Sequence, residues 1–274
     1  MSPKPAKSVH TWSLFRTMGR FVAPGSMPLN RSLTEGGGGG LDLLELPAAL
    51  ADHGFATAQL CHFYLPRLDD SYVDELRAAF AEAGVELEAF LIDDGDPAHP
   101  TEADAQVDWI SGWVTIAERL GATRTRVCAG QQLPSPTTLA ASAAGLVRLA
   151  DRHGDTRIVT ENWLALLPDA ASVNGLLDRT EGRVGFLIDL GNWKGPGKYA
   201  ELAAVAPRAE TCQAKVTTNA AGEIDADDFR ACLTVLNEAN YTGPLALVHD
   251  GPDNDEWGKL DEAYALVSSA GQSE

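Results

Sequence analysis

Two runs decide the fold: Arg157-Ile158-Val159-Thr160-Glu161-Asn162-Trp163 and Val184-Gly185-Phe186-Leu187-Ile188-Asp189-Leu190-Gly191-Asn192-Trp193. Each is a short apolar run that ends at an acid, with an asparagine and a tryptophan just beyond. Between them, Pro168 to Thr180 reads as a helix. A β-branched run that stops at a carboxylate, crosses back through a helix and repeats is a βαβ unit with its acids at the strand C-termini. In a parallel α/β fold the chemistry gathers at that end. Glu161 and Asp189 are therefore expected to share a site.

Outward from this unit the same rhythm continues. Strands are predicted over Ser8–Phe15, Phe55–Phe63, Val85–Ile92 and Thr123–Ala129 before it, and over Glu210–Val216 and Pro244–Val248 after it. Helices are predicted over Leu41–His53, Leu68–Ala83, Thr101–Leu120, Ser135–His153, Tyr199–Val205, Asp225–Asn240 and Trp257–Ser268. Gly54, Gly84, Gly121 and Gly154 each follow a helix as stop signals. Eight strand–helix pairs make a (β/α)8 TIM barrel, in a single domain over residues 1–274. An open doubly wound sheet is the alternative, but no GxGxxG follows the first strand. Arg16 to Gly40, with Pro24, Pro28 and the run Gly36–Gly40, is a long loop after the first strand. Loops of that length are either lids or surface excursions.

The 274 residues carry 39 acids against 21 lysines and arginines, a formal charge of −18. Such a surface repels phosphate backbones and anionic lipid, which argues against nucleic-acid and membrane partners. Cys61, Cys128, Cys212 and Cys232 show no metal or CxxC spacing and read as small buried hydrophobes in a reducing, cytoplasmic setting. Neither a signal peptide nor a transmembrane run is visible. Trp109 and Trp113, at helical spacing, are expected either in the core or at a homo-oligomer interface.

The strand C-termini collect His10, Trp12, His62, Asp93, Asp94, Arg126, Gln131, Glu161, Asn162, Trp163, Asp189, Asn192, Trp193, Gln213, Lys215, His249 and Asp250. This set suits a sugar or polyol. Of these, His10, Trp12, His62, Arg126, Trp163, Asn192, Trp193, His249 and Asp250 are the expected substrate contacts. Asp93, Asp94 and Asp96 form an acidic loop whose simplest role is turn capping. Glu161 and Asp189 have a structural reading too, as ion-pair partners of Arg126 or Lys215. His53 and His153 precede helix-ending glycines and are expected to be structural.

Glu161 in Thr-Glu-Asn-Trp, Asp189 in Ile-Asp-Leu-Gly-Asn-Trp, and Gln213-Ala214-Lys215 together resemble the xylose isomerase-like TIM-barrel superfamily of sugar (phosphate) isomerases and epimerases. Leu120-Gly121-Ala122 and Tyr241-Thr242-Gly243-Pro244 extend the likeness over nearly the whole chain. The resemblance implies a divalent metal, manganese, magnesium or cobalt. A Glu on strand five, an Asp on strand six, a His on strand seven and a Glu on strand eight would hold it. Glu161 and Asp189 match. The strand-seven His-x-Lys is here Gln213-Ala214-Lys215, and the strand-eight Glu falls on Val248. The implied ligand set is thus Glu161, Asp189 and Gln213, the last through its amide oxygen.

The implied chemistry is proton transfer α to a carbonyl on a small polyhydroxy compound, with Glu161 as base. Lys215 or His62 would carry the second proton, or Lys215 would stabilise the oxyanion. A one-base isomerisation or a dehydration needs only Glu161. The alternative is a sugar-binding or regulatory protein on the same barrel that has lost its chemistry with the missing ligands. Nucleic-acid repair of the endonuclease IV type is disfavoured by the charge and by the lack of histidine ligands.

Overall fold

Eight parallel strands close on themselves in sequence order, β1 (Ser8–His10), β2 (Thr57–Cys61), β3 (Glu86–Ile92), β4 (Arg124–Val127), β5 (Arg157–Glu161), β6 (Gly185–Asp189), β7 (Ala209–Lys215) and β8 (Leu245–Val248). Closure runs through Ser8 opposite Ala246 and Val9 opposite Leu247. The computed structural model describes residues 6–19, 40–252 and 255–270. Eight helices alternate with the strands: α1 (Leu46–Asp52), α2 (Asp70–Ala83), α3 (Ala103–Leu120), α4 (Pro136–Arg152), α5 (Ala170–Arg179), α6 (Lys198–Val205), α7 (Ala226–Glu238) and α8 (Glu256–Ala270). The expected (β/α)8 TIM barrel is the observed fold.

Local chemistry sets the element ends. Ser135 and Thr138 form a reciprocal capping box on α4, and Asp169 with Ser172 does the same on α5. Gly84 and Gly121 end α2 and α3 in the left-handed region, at φ 66° and 79°, where a side chain would be strained. Helix α1 is shorter than Leu41–His53. Asp42 accepts the Leu44 N–H at 2.8 Å in a turn, and Pro47 is tolerated only in a first turn. Strand β1 is also shorter than predicted. The His10 ring accepts the Trp12 N–H at 3.0 Å and caps a 3-10 helix over Thr11–Leu14. Residues 20–39 of the long loop lie outside the described residues.

Outward-facing strand residues such as Val9, Leu60, Phe90, Ile188 and Leu247 are buried against the helices. The inside of the barrel is partly polar. Gln59 donates to Glu88 Oε2 at 2.7 Å and to Thr211 Oγ1 at 3.1 Å, and Arg124 donates to Glu88 Oε1 at 3.0 Å. Burial raises the Glu88 pKa, against the pull of Gln59, Thr211 and Arg124. This layer floors the site above it. All four cysteines are free and buried. Trp109 and Trp113 pack edge-on to His62 and are partly buried against the core. His153 is held by Ser111 and Glu118 at 2.7 and 3.0 Å, and His53 stacks on Trp257 at 3.9 Å.

Candidate active site

At the C-terminal mouth of the barrel a cavity of about 190 Å³ opens. Its wall includes His10, Trp12, Arg126, Glu161, Trp163, Asp189, Asn192, Gln213, Lys215 and Asp250 from the predicted set. Cys61, Phe63, Asp93 and Val248 join them. Three predicted contacts lie elsewhere. Strand β2 ends at Cys61, so His62 falls in the following 3-10 turn. There its Nδ1 accepts the Asp93 N–H at 3.2 Å, behind the wall. Trp193 donates its indole N–H to Leu167 O at 3.1 Å and lines a neighbouring groove. Strand β8 ends at Val248, which faces the cavity, so His249 turns the other way and is fully buried.

Asn162 ties the two central strands together. Its side chain accepts the Asp189 N–H at 2.7 Å and donates to Asp189 O at 3.0 Å. This brackets the ends of β5 and β6 and fixes how Glu161 and Asp189 face each other. Asp189 Oδ1 accepts the N–H groups of Gly191 and Asn192 at 2.6 and 2.7 Å. The Asn192 side chain reaches back to Glu161 Oε1 at 2.7 Å. The shared asparagine and tryptophan after each acid therefore have different duties on the two strands. Asn162 is a brace, and Asn192 orients the acid.

Arg126 is 2% exposed and lies between two acids. Its Nη2 contacts Asp93 Oδ1, and its Nε comes within 3.0 Å of Glu161 Oε2. Nη1 donates to Ile92 O at 2.9 Å, and the guanidinium carbon sits 5.2 Å from the Trp163 ring centre. The approach to Oε2 is too poorly aligned for a hydrogen bond, so Glu161 Oε2 is buried without a hydrogen-bond donor among the described residues. Asp93 thus does more than cap a turn. That duty falls to Asp96, which accepts the Ala98 N–H at 3.0 Å. Asp93 is legible in the sequence only as the residue that closes the β3 apolar run.

The electrostatics divide the groups by role. Burial pushes the Glu161 carboxyl up to about 7; Arg126 pulls it down, while Asp189 and Asp93 push it further up. Burial also raises Asp189, against Lys215 and its two backbone donors. Burial works against charge on Lys215, but Asp189 and Asp250 outweigh it and raise its pKa, with Asp250 Oδ2 at 2.6 Å. Lys215 is therefore an ammonium at neutral pH. Burial lowers His10 to about 3 and His62 to about 4, so both rings are neutral. The His10 bond to Trp12 places its proton on Nε2, facing the cavity as a donor. Burial pushes the Cys61 and Cys128 thiols up, which leaves them inert.

These shifts make a pH prediction. The unfolded histidines take up protons near pH 6.5 while the folded ones do not, so acid removes stability. Glu161 does the reverse, because its folded form holds a proton that the unfolded chain gives up until about pH 4.5. Between pH 7.5 and 5.5 the two rings together cost about 3 kcal/mol, and the raised acids, Glu161 foremost with Asp189 and Glu88, return part of it. Wild-type stability, read by urea unfolding, is expected to change little over this interval. A Glu161→Gln variant is expected to lose more stability than the wild type over the same interval, by up to about 3 kcal/mol. A flat profile in the variant would refute the buried neutral histidines.

Residues 47–264 fit the family model described as xylose isomerase-like TIM barrel. The chain belongs to the xylose isomerase-like TIM barrel family. A comparison with curated protein sequences gives no match. Solved structures share the fold. A xylose isomerase-like TIM barrel protein from Mycobacterium smegmatis, in complex with magnesium, is 16% identical. It superposes with a TM-score of 0.68 over 97% of each chain. The 3-keto-D-glucoside 4-epimerase from E. coli is 15% identical, with a TM-score of 0.64 over 88% of this chain and 97% of that one. The probable 3-DHS dehydratase from Bacillus anthracis is 11% identical, with a TM-score of 0.66 over 96% of this chain and 98% of that one.

The metal implied for the family needs four side-chain donors. Here Glu161 and Asp189 face the cavity, the fourth place is the isopropyl group of Val248, and the third is an amide. No cluster of three or more His, Cys, Asp or Glu side chains with metal-holding geometry occurs among the described residues. The Arg126 guanidinium already lies against Glu161. This donor set does not fit a four-ligand metal. No helix among the described residues is long and apolar enough to cross a membrane.

Proposed function

We propose that this barrel is a sugar isomerase- or epimerase-like enzyme that moves a proton on a small polyhydroxy carbonyl compound. One observation carries the reading. Glu161 is a buried carboxylate at the cavity floor, raised to about 7, with Oε1 held by Asn192 and Oε2 accepting no hydrogen bond. That is the arrangement of a general base poised to gain and lose a proton near neutral pH. The activities of two structural relatives, an epimerase and a probable dehydratase, are of the same class.

In this reaction the Glu161 carboxylate removes the proton α to the substrate carbonyl. The electron pair of the broken C–H bond moves into an enediolate. The Lys215 ammonium faces the developing oxyanion and stabilises its charge. Glu161 then returns the proton to the adjacent carbon while the hydroxyl proton passes between the two neighbouring enediolate oxygens, so that carbonyl and hydroxyl exchange places. Lys215 remains charged throughout, which its raised pKa favours. The Trp12 and Trp163 faces and the His10 Nε2–H are the expected contacts for the carbon skeleton and a hydroxyl.

Incubating the protein with ketose and inosose panels in deuterium oxide tests the proposal. The expected result is deuterium incorporation at one α carbon of an accepted substrate, together with its isomer or dehydration product, seen by proton NMR. Thermal stabilisation by a sugar with neither exchange nor product would instead support the sugar-binding alternative that Gln213 and Val248 motivate.

A further inference from the structure

The Gln213 carboxamide occupies the centre of the site. One end lies 3.0 Å from Asp189 Oδ2 and 3.3 Å from Glu161 Oε1, and the other lies 3.3 Å from Gln59 Oε1. An amide oxygen and nitrogen are alike in outline, so hydrogen bonding decides which faces which way. With oxygen toward the acids, the amide oxygen meets two carboxyl groups and one neutral bond to Gln59 is gained. With nitrogen toward the acids, two bonds to carboxyl oxygens form, while the Gln59 bond is lost and two amide oxygens meet at 3.3 Å. Charge-assisted bonds are roughly twice as strong as neutral ones, so the second orientation wins.

The geometry points to an internal replacement: the Gln213 NH2 group takes the place of the divalent metal, bridging Glu161 and Asp189 by hydrogen bonds. The site is thus organised by the protein's own donors. The amide holds the two acids at a fixed separation from the centre. Arg126 screens Glu161 from one side, and Lys215 lies within the field of Asp189. Val248 is consistent with this. With no metal to ligate, an apolar group can line the wall where a fourth carboxylate would add uncompensated buried charge. Gln213 is a positioning residue in this arrangement, and the inference stands on the donor set whether or not the proposed reaction is correct.

The test is binding, not turnover. The intact protein is dialysed against EDTA and then against manganese, magnesium or cobalt chloride at millimolar concentration. Bound metal is counted, and melting is followed with and without each salt. The wild type is expected to retain no stoichiometric metal and to melt at the same temperature throughout. A site filled at a hundredfold excess over its Kd would raise the melting temperature by about 5–10 °C, and that result would overturn the inference. The double variant Gln213→His/Val248→Glu restores the implied donors. It is expected to bind one cobalt ion with a visible absorption band and to melt higher with the salt. If both wild type and a folded double variant refuse metal, something other than Gln213 and Val248 bars it, and the assignment fails. If the double variant does not fold, the wild-type dialysis decides alone.

Discussion

A Glu161→Gln variant is expected to lose about 10²- to 10⁴-fold in kcat on any substrate the wild type accepts, the range that a positioned general base supplies. The substitution is nearly isosteric. Its amide oxygen can still accept from the Asn192 side chain, which holds Oε1 at 2.7 Å. Substrate binding should therefore survive, and KM should move far less than kcat. What disappears is the carboxylate that takes the proton, together with the titration near 7. Steady-state kinetics and deuterium exchange read the two effects separately. Activity within tenfold of wild type would remove Glu161 from the role of base.

Arg126→Met is expected to destabilise the fold by roughly 3–5 kcal/mol, the cost of breaking a buried ion pair from one side. The loss has two sources. Asp93 and Glu161 both keep their burial and lose their counter-charge. The Ile92 carbonyl loses its 2.9 Å side-chain donor. Adding Asp93→Asn should recover part of the loss, because one of the stranded charges goes with it. Urea unfolding of the single and double variants measures both quantities. A single-variant loss below about 1 kcal/mol would mean that water or repacking compensates the acids, and that the ion pair is not what holds the floor of the site. The same variant should also push the Glu161 pKa higher, since Arg126 is the main influence that lowers it.

The fold was legible because the eight-fold repeat is carried by many independent signals. Apolar runs, capping residues and terminal glycines would all have to mislead together. The acids at β5 and β6 were legible for the same reason. An apolar run that stops at Glu161 or Asp189 marks the strand end directly. His62, Trp193 and His249 were harder because nearness to a strand end does not say which way a side chain points. Cys61 and Phe63 line the cavity, and the His62 ring between them turns behind the wall. Ending β8 at Val248 gives the cavity to valine and the interior to His249. Side-chain direction alternates, so neighbouring residues at a strand end belong to opposite faces. The role of Asn162 was invisible for another reason. Its partner is the backbone of Asp189, 27 residues away, and backbone partners leave no trace in residue type.

The polar layer beneath the site has a consequence for how the strands find their alignment. Gln59, Glu88 and Thr211 join β2, β3 and β7, which meet only when the barrel is closed. A slip of β7 by one residue would turn Thr211 and Gln213 toward the helices and bring Cys212 and Ala214 inward. Glu88 and Gln59 would then face sulfur and methyl groups. The energetic penalty would fall on the misaligned barrel before any loop or helix registered the error. Its acid-bearing interior thus works as a proofreader of strand pairing, rejecting closed forms that a purely aliphatic barrel would tolerate.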